Sequence, residues 1–448
     1  MINFNITINY LQFKSNIFLY IIFFVLLNFA AAVAQESMTA EQAISEGLKN
    51  NYSIRVSGTE SDIATQSISY GNAAFLPQLN LNLAQGTARN NTKQNLTTGL
   101  IVDKKNVGSS NISSGVSLNW TLFDGMKMFV TYEKLQEMDK LEQLKLKLEI
   151  ETAVYNILLS YYEIVKEKQL AKVLQTALRL SEERIQIEET KLKLGSSSRL
   201  DFIQAKLDAN ESRSALYKQN IQIRNSKIKL SQLLGRSGDN LVDTKDTLIS
   251  VQEISLESIK SELLQKNKSI LISDENLRIS NLSLRELKTE RYPRIGFNAN
   301  YNFSRTDNQA GFILLNQNLG FSSGFTLSMN LFDGFRLNNK LQVSNLKVKA
   351  NMLLLDASKS LAESEMLSAF GSLQDLLNIL KMEKENYSIA KENIEASMER
   401  YKIGNISAFQ LKDAQNSYEN AYSRLVNAGF EAKEAEFKLL KAGGKIIQ

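Results

Sequence analysis

From Lys127 to Leu194 the chain runs without a proline or a glycine. Proline removes a helical hydrogen bond and clashes with the preceding turn, and glycine loosens a helix through its backbone freedom. A run this long without either is free to stay helical. Within it Leu141, Leu148, Tyr155 and Tyr162 recur every seven residues, and Leu144, Leu158 and Val165 keep the same period with Glu151 in the remaining place. That is the spacing of side chains that interlock between long paired helices. At 1.5 Å per residue the run predicts a helix of roughly 100 Å. A second run, Phe335 to Ile403, carries Met366, Leu373 and Leu380 at the same spacing, with Gly371 as its only glycine.

The two runs belong to two copies of one pattern. Leu122-Phe123-Asp124-Gly125 returns 209 positions later as Leu331-Phe332-Asp333-Gly334, and Lys193-Leu194-Gly195 returns at the same offset as Lys402-Ile403-Gly404. Glu183, Ile185, Ser198, Ala205, Leu230 and Gly235 meet identical residues at that offset as well. Upstream, Asn51, Ser53, Ile54 and Pro77 match Asn267, Ser269, Ile270 and Pro293 at an offset of 216. The first copy therefore has a loop seven residues longer between Pro77 and Asp124. Loops tolerate insertions and packed elements do not, so the constant offset after each Asp argues for rigid, continuous elements there. A repeat this long indicates two homologous halves, not a solenoid.

Between the prolines and the Asp-Gly pairs the period changes to two. Leu79, Leu81 and Leu83 alternate with Asn80 and Asn82, and Val116, Leu118, Trp120 and Leu122 alternate with Ser117, Asn119 and Thr121. In the second copy Ile295, Phe297, Ala299, Tyr301 and Phe303 alternate with Gly296, Asn298, Asn300 and Asn302, and Phe325, Leu327, Met329 and Leu331 alternate with Thr326, Ser328 and Asn330. Four strands of about 10 residues are predicted, one face aliphatic and aromatic, the other amide and hydroxyl. A transmembrane β-barrel with a wet interior has this pattern, and so does a soluble sandwich with one solvated face. Four strands cannot close a useful barrel alone, so a barrel needs several chains.

The remaining elements follow from local signals. Thr39 to Ala73 reads as helix broken at Gly47 and at Asn50-Asn51. Asp124 and Asp333 suit helix N-caps, and Gly125 and Gly334 allow the chain to turn there. Gly195 and Gly404 end the long helices, and Ser198 and Ser407 cap helices that return to about Leu234 and Leu440. Leu241 to Ser255 is an irregular join, followed by helix from about Leu256 to Arg291.

Composition removes whole classes of function. The chain of 448 residues has neither Cys nor His, which excludes disulfides, thiolate sites and the commonest general base and metal ligand. No cofactor or metal site is expected, and no phosphate-binding glycine loop is present. Lys14 is the only charged side chain before residue 36; Ile17 to Leu27 is an unbroken apolar run; Ala32-Val33-Ala34 supplies a small-residue cleavage site. We expect an export signal over 1–34, a first repeat over 35–240 and a second over 241–448. Loss of Lys14 lowers the net charge from +5 to +4, mild and dispersed, unlike a nucleic-acid surface. No other apolar run approaches the ~20 residues of a membrane helix.

The order helix, β-hairpin, very long helix, glycine turn, returning helix, all repeated, resembles the TolC-like outer-membrane efflux family over essentially the whole mature chain. The motifs that carry the resemblance are Phe75-Leu76-Pro77-Gln78-Leu79-Asn80-Leu81, its counterpart Arg291-Tyr292-Pro293-Arg294-Ile295-Gly296-Phe297, both Leu-Phe-Asp-Gly junctions and both tip turns. The resemblance implies a mixed α+β membrane protein, an antiparallel α-helical barrel continuous with a transmembrane β-barrel. Four strands per protomer would make a twelve-stranded barrel in a homotrimer. It also implies a Gram-negative outer-membrane channel with a large periplasmic portion, joined to a periplasmic adaptor (membrane fusion) protein and an RND, ABC or MFS-type inner-membrane transporter. Such a channel serves efflux or type I secretion and performs no catalysis.

The resemblance also points to residues. Leu194, Gly195 and Ser196, with Ile403, Gly404 and Asn405, fall where the adaptor meets the periplasmic tip. Gate carboxylates of the family fall at Gln410 and Asp413, so one acidic position is a Gln here. Asp201, with Gln204 beside it, and Tyr401 match a pair that holds the tip shut, while the partner Arg position is Ile406; Arg199 is a nearby candidate to replace it. The reading from another class is a soluble periplasmic coiled-coil scaffold, which has no need of the four alternating strands.

Overall fold

The computed structural model describes residues 37–237, 240–245, 249–252 and 254–447. The export signal expected over 1–34 lies outside the described residues. A short strand β1 (Ser37–Met38) leads into helices α1 (Ala40–Asn50) and α2 (Tyr52–Ser67), then strands β2 (Gln78–Asn95) and β3 (Ile101–Phe123). The long helix α3 (Lys127–Lys193) and its return α4 (Arg199–Leu233) complete the first copy. The second begins with β4 (Asp243–Thr244) and short helices α5 (Leu256–Lys260) and α6 (Leu263–Lys266). It continues through α7 (Lys268–Lys288), β5 (Arg294–Asn308), β6 (Leu315–Ser328), α8 (Arg336–Lys402) and α9 (Ala408–Ala442). Both long helices have 67 residues.

The hairpins join into one antiparallel sheet in the order β2-β3-β5-β6. Its register keeps the two faces separate. Leu81 lies opposite Val116, Val116 opposite Tyr301, and Tyr301 opposite Phe321; one step along, Asn80, Ser117, Asn300 and Ser322 make the same row on the other face. A slip of one residue on any strand would mix the faces. The strands run to 14–23 residues, longer than the alternation alone suggested, and Met329 and Leu331 lie past the end of β6. Among the described residues the outer edges of β2 and β6 are unpaired, and nearly every residue on both is exposed. Among the described residues no helix is long and apolar enough to cross a membrane.

The helical part holds two equivalent cores. The first is built on Ala43, Ile157, Ile164 and Leu230, the second on Ile259, Met366, Leu373 and Leu439. The second set sits at the repeat offsets from the first, and every member is fully or almost fully buried. Truncating any of the large ones to Ala is expected to cost about 2–5 kcal/mol. A polar joint accompanies each core. The Asn51 amide donates to the Leu233 carbonyl at 2.8 Å while its oxygen accepts from the Ser53 and Ile54 N–H groups. Asn267 does the same with the Ala442 carbonyl, at 2.9 Å, and the Ile270 N–H. One side chain thus caps a new helix and ties it to the end of the returning one.

Four local expectations change. Gly47 does not break α1; it is buried inside the helix, where an added Cβ would stand 2.3 Å from Ile157 Cδ1. The helix expected to reach Ala73 stops at Ser67, and the one expected over 256–291 is divided among α5, α6, α7 and a 3-10 turn at Thr289–Arg291. Asp124 and Asp333 are not the N-cap residues. Those are Met126 and Phe335, both with positive φ, and each Asp reaches over them to accept the N–H of Met128 at 3.2 Å or of Leu337 at 2.8 Å. The carboxylate still satisfies a free donor of the first turn, from two residues further out.

Candidate functional site

At the end far from the sheet, α3 turns into α4 and α8 turns into α9. In the first turn the Ser196 N–H donates to the Lys191 carbonyl at 2.9 Å and the Gly195 N–H to the Leu192 carbonyl at 3.1 Å. In the second, Asn405 donates to Arg400 at 2.9 Å and Gly404 to Tyr401 at 3.1 Å. Gly195 and Gly404 take φ of 73° and 78°, which only glycine adopts at little cost. Leu194 and Ile403, beside them, are 77% and 71% exposed. Exposed aliphatic side chains repeated at both tips are more than helix termination requires.

The returning helices begin with capping boxes. Ser198 Oγ accepts from the Asp201 N–H at 3.1 Å, and Asp201 accepts from the Ser198 N–H at 3.3 Å and from its hydroxyl at 2.7 Å. Ser407 and Gln410 repeat the arrangement at 3.3 and 2.9 Å. Asp201 and Gln410 are therefore the same position in the two copies, as are Gln204 and Asp413. Each copy carries one acid and one amide, in opposite order. The Ser198 hydroxyl, followed by its N–H, holds the Asp201 carboxyl below the usual carboxylate range. Gln204 donates to Asp208 at 3.1 Å, whereas Asp413 is exposed and, among the described residues, unpaired.

Asp201 does not meet Tyr401. Its carboxylate is occupied by the capping box, and Tyr401 instead donates its hydroxyl to Glu188 on α3. Glu188, 3% exposed, also accepts from the Ser197 hydroxyl and lies 3.8 Å from Lys191. Lys191 Nζ sits 4.2 Å from the Tyr401 ring centroid and donates to the Tyr401 carbonyl at 3.3 Å. Burial, and after it the Glu188 carboxylate, push the Tyr401 hydroxyl up to about 12. One turn back, Arg184 pairs with Asp208 at 2.6 Å, joining α3 to α4. Arg199 is exposed and, among the described residues of the single chain, forms no ion pair. An apolar patch of Ile394, Met398, Leu411, Ala414 and Val173 surrounds the tyrosine and binds the second hairpin to the first.

Sequence reasoning missed Glu188, Arg184 and Asp208. The buried stripe of α3 runs Val173, Ala177, Ser181, Arg184, Glu188, spaced as the apolar stripe nearer the core is spaced. Charges at stripe positions were the available signal. Among the described residues no group of three or more acidic side chains could hold a metal ion.

Comparisons with known proteins identify the fold and the family. A family model described as outer membrane efflux protein matches residues 43–236 and 259–445. The outer membrane efflux protein BepC of Brucella suis biovar 1 is 20% identical over 417 residues, covering 93% of this chain and 87% of BepC. The outer membrane channel CmeC of Campylobacter jejuni superposes with a TM-score of 0.75 at 16% identity, covering 92% of this chain and 90% of CmeC. The open-state MtrE channel of Neisseria gonorrhoeae gives 0.69 at 16% identity, covering 91% and 89%. With one family model spanning both copies of its pattern, the chain belongs to the outer membrane efflux protein family.

Proposed function

We propose that three copies of the chain join edge to edge, β6 of one against β2 of the next, into a twelve-stranded barrel in the outer membrane continuous with a helical barrel across the periplasm. Membership of the family makes the protein an outer-membrane efflux channel, not an enzyme. The observation that carries the trimer is the sheet: four strands with one apolar face in register and two long unpaired edges. Open edges of that length invite pairing, and closure is what removes them. A soluble coiled-coil scaffold gains nothing from such a sheet.

The reading includes an export signal ending at Ala34 and repeats over 35–240 and 241–448, which the paired cores and Asn joints support. In it the tip residues Leu194, Gly195, Ser196, Ile403, Gly404 and Asn405 receive a periplasmic adaptor, which couples the channel to an inner-membrane transporter. Asp413 faces the axis as a ring of three carboxylates, which attracts cations and narrows their passage. Tyr401 and Glu188 latch the second hairpin to the first. Asp201 and Gln410 serve the gate by fixing the first turn of α4 and α9, with Gln204 bracing Asp208.

Protein extracted from outer membranes in detergent and placed in a planar bilayer tests this. A three-protomer mass and a small conductance blocked by divalent cations are expected, and Asp413→Ala is expected to relieve the block. A chain that stays monomeric and soluble without detergent, or conducts in no variant, overturns the proposal.

A further inference from the structure

Two carboxyl groups meet where the copies touch, far from the tip. Glu137 on α3 has an Oε2, and Glu275 on α7 an Oε1, that are both enclosed and both without a hydrogen-bond donor. Glu275 is 5% exposed. The helices that carry them, α3 and α7, pack against each other, and each carboxyl acts on the other. A buried carboxylate oxygen with no donor loses its hydration without replacement, and two facing each other also repel. A single proton removes both costs, because a protonated Glu275 donates to Glu137.

We propose that Glu137 and Glu275 form a proton-binding site that clasps α3 to α7. The other charges nearby assign the roles. On α3, Lys140 donates to the other oxygen of Glu137 at 2.7 Å, which favours Glu137 as the ionised acceptor. On α7, Arg278 lies on the same side but is paired with Asp274 at 3.1 Å. α2 meets α3 through Thr65 and Asp139, at 2.6 Å, and Asp139 also takes a bond from Gln143. On the side of α8, Lys347 lines a groove beside Asn276 and Ser280. Burial, then Glu137, pushes Glu275 up to about 7, while the bond from Glu275, then Lys140, holds Glu137 below its ordinary value.

The sign follows from the raised group. Glu275 keeps its proton in the folded chain after the unfolded chain has lost it. Its contribution to stability is full below about 4.5, falls as pH rises towards about 7, and is gone above that. The clasp exists in one seam only: the positions equivalent to Glu137 and Glu275 are Leu346 and Thr59. It lies within one chain, so it stands or falls independently of the trimer.

Infrared spectra of the full-length, detergent-purified protein across a pH series read the proton directly. We expect a protonated-carboxyl band that titrates out near pH 7, is absent in Glu275→Gln, and titrates about one unit or more lower in Glu137→Gln. The melting temperature of the parent should fall from pH 5 to pH 8 relative to that of Glu275→Gln, whose amide donates to Glu137 at every pH. If Glu275→Gln does not assemble, Glu137→Gln alone decides through its titration. A parent with no protonated carboxyl above about pH 6, or a band unchanged in either variant, overturns the proposal.

Discussion

The junctions Leu122–Gly125 and Leu331–Gly334 are the same four residues with the same turn at the glycine, set in different surroundings. Gly125 and Gly334 take φ of 73° and 68°, the following Met126 and Phe335 share the left-handed region, and each Asp holds the first turn of its helix. A Cβ on Gly125 would stand 2.7 Å from the Thr289 carbonyl oxygen and 2.6 Å from Tyr292 Cβ, whereas one on Gly334 meets nothing within 4 Å among the described residues. The repeat dictates the turn; chain order dictates the neighbours. The counterparts of Thr289 and Tyr292 are Ala73 and Leu76, at the opposite edge of the same chain. In the proposed assembly a neighbouring chain brings them to Gly334.

The sharpest way to break that equivalence is to add the missing Cβ on each side. Gly125→Ala should cost about 3 kcal/mol, from the left-handed backbone and the collision together. Gly334→Ala should cost only about 1 kcal/mol in a single chain but as much as Gly125→Ala once the ring has closed. Heat dissociation of the purified oligomer measures both. Equal drops sharpen the comparison, and a clearly smaller drop for Gly334→Ala breaks it. Next in size is the latch, which has no counterpart in the other copy: the positions equivalent to Glu188 and Tyr401 are Ser397 and Leu192. Tyr401→Phe removes a hydrogen bond to a carboxylate, a loss of about 1.5–3 kcal/mol, and should raise the conducting fraction in a bilayer. Glu188→Gln should raise it less, since the amide oxygen still accepts. The smallest effects belong to the capping boxes. Asp201→Ala and Gln410→Ala should each cost about 1 kcal/mol in urea unfolding and leave cation block unchanged. A change in block on Asp201→Ala alone would show that the two caps are not equivalent.

Much of this is legible in the sequence. The offsets of 209 and 216 put both Asp-Gly junctions and both tip turns in correspondence, because continuous helices cannot absorb insertions; the fully buried Ile157 and Ile164 of the first core lie off the heptad positions read from the sequence. The alternation of Leu79 to Leu83 and of Ile295 to Phe303 named the strands and their faces. Other features depended on contacts that spacing does not record. Gly47 reads as a helix breaker until Ile157 is seen filling the space beside it. The resemblance matches Asp201 to Tyr401, yet Ser198 three residues earlier spells out a capping box that occupies it. The stripe spacing marks Glu188 as facing inward, but nothing local says that Tyr401 of α8 will cover it. The exposed face of α8, with Leu346, Leu353, Leu354 and Leu361, is likewise unexplained within a single chain.

The distance between the two cores and the tips has a mechanical consequence. About 37 residues of α3 separate Ile157 from the tip turn, a rigid arm of roughly 55 Å uninterrupted by proline or glycine. With its root clamped in the core, a tilt of about 10° there sweeps the free end through roughly 10 Å. A rotation small enough to leave the interlocked side chains at the root in place is thus multiplied into a displacement of roughly 10 Å at the tip. The fold acts as a set of long levers with short fulcrums, and strong bonds need only be few if they grip at the far end.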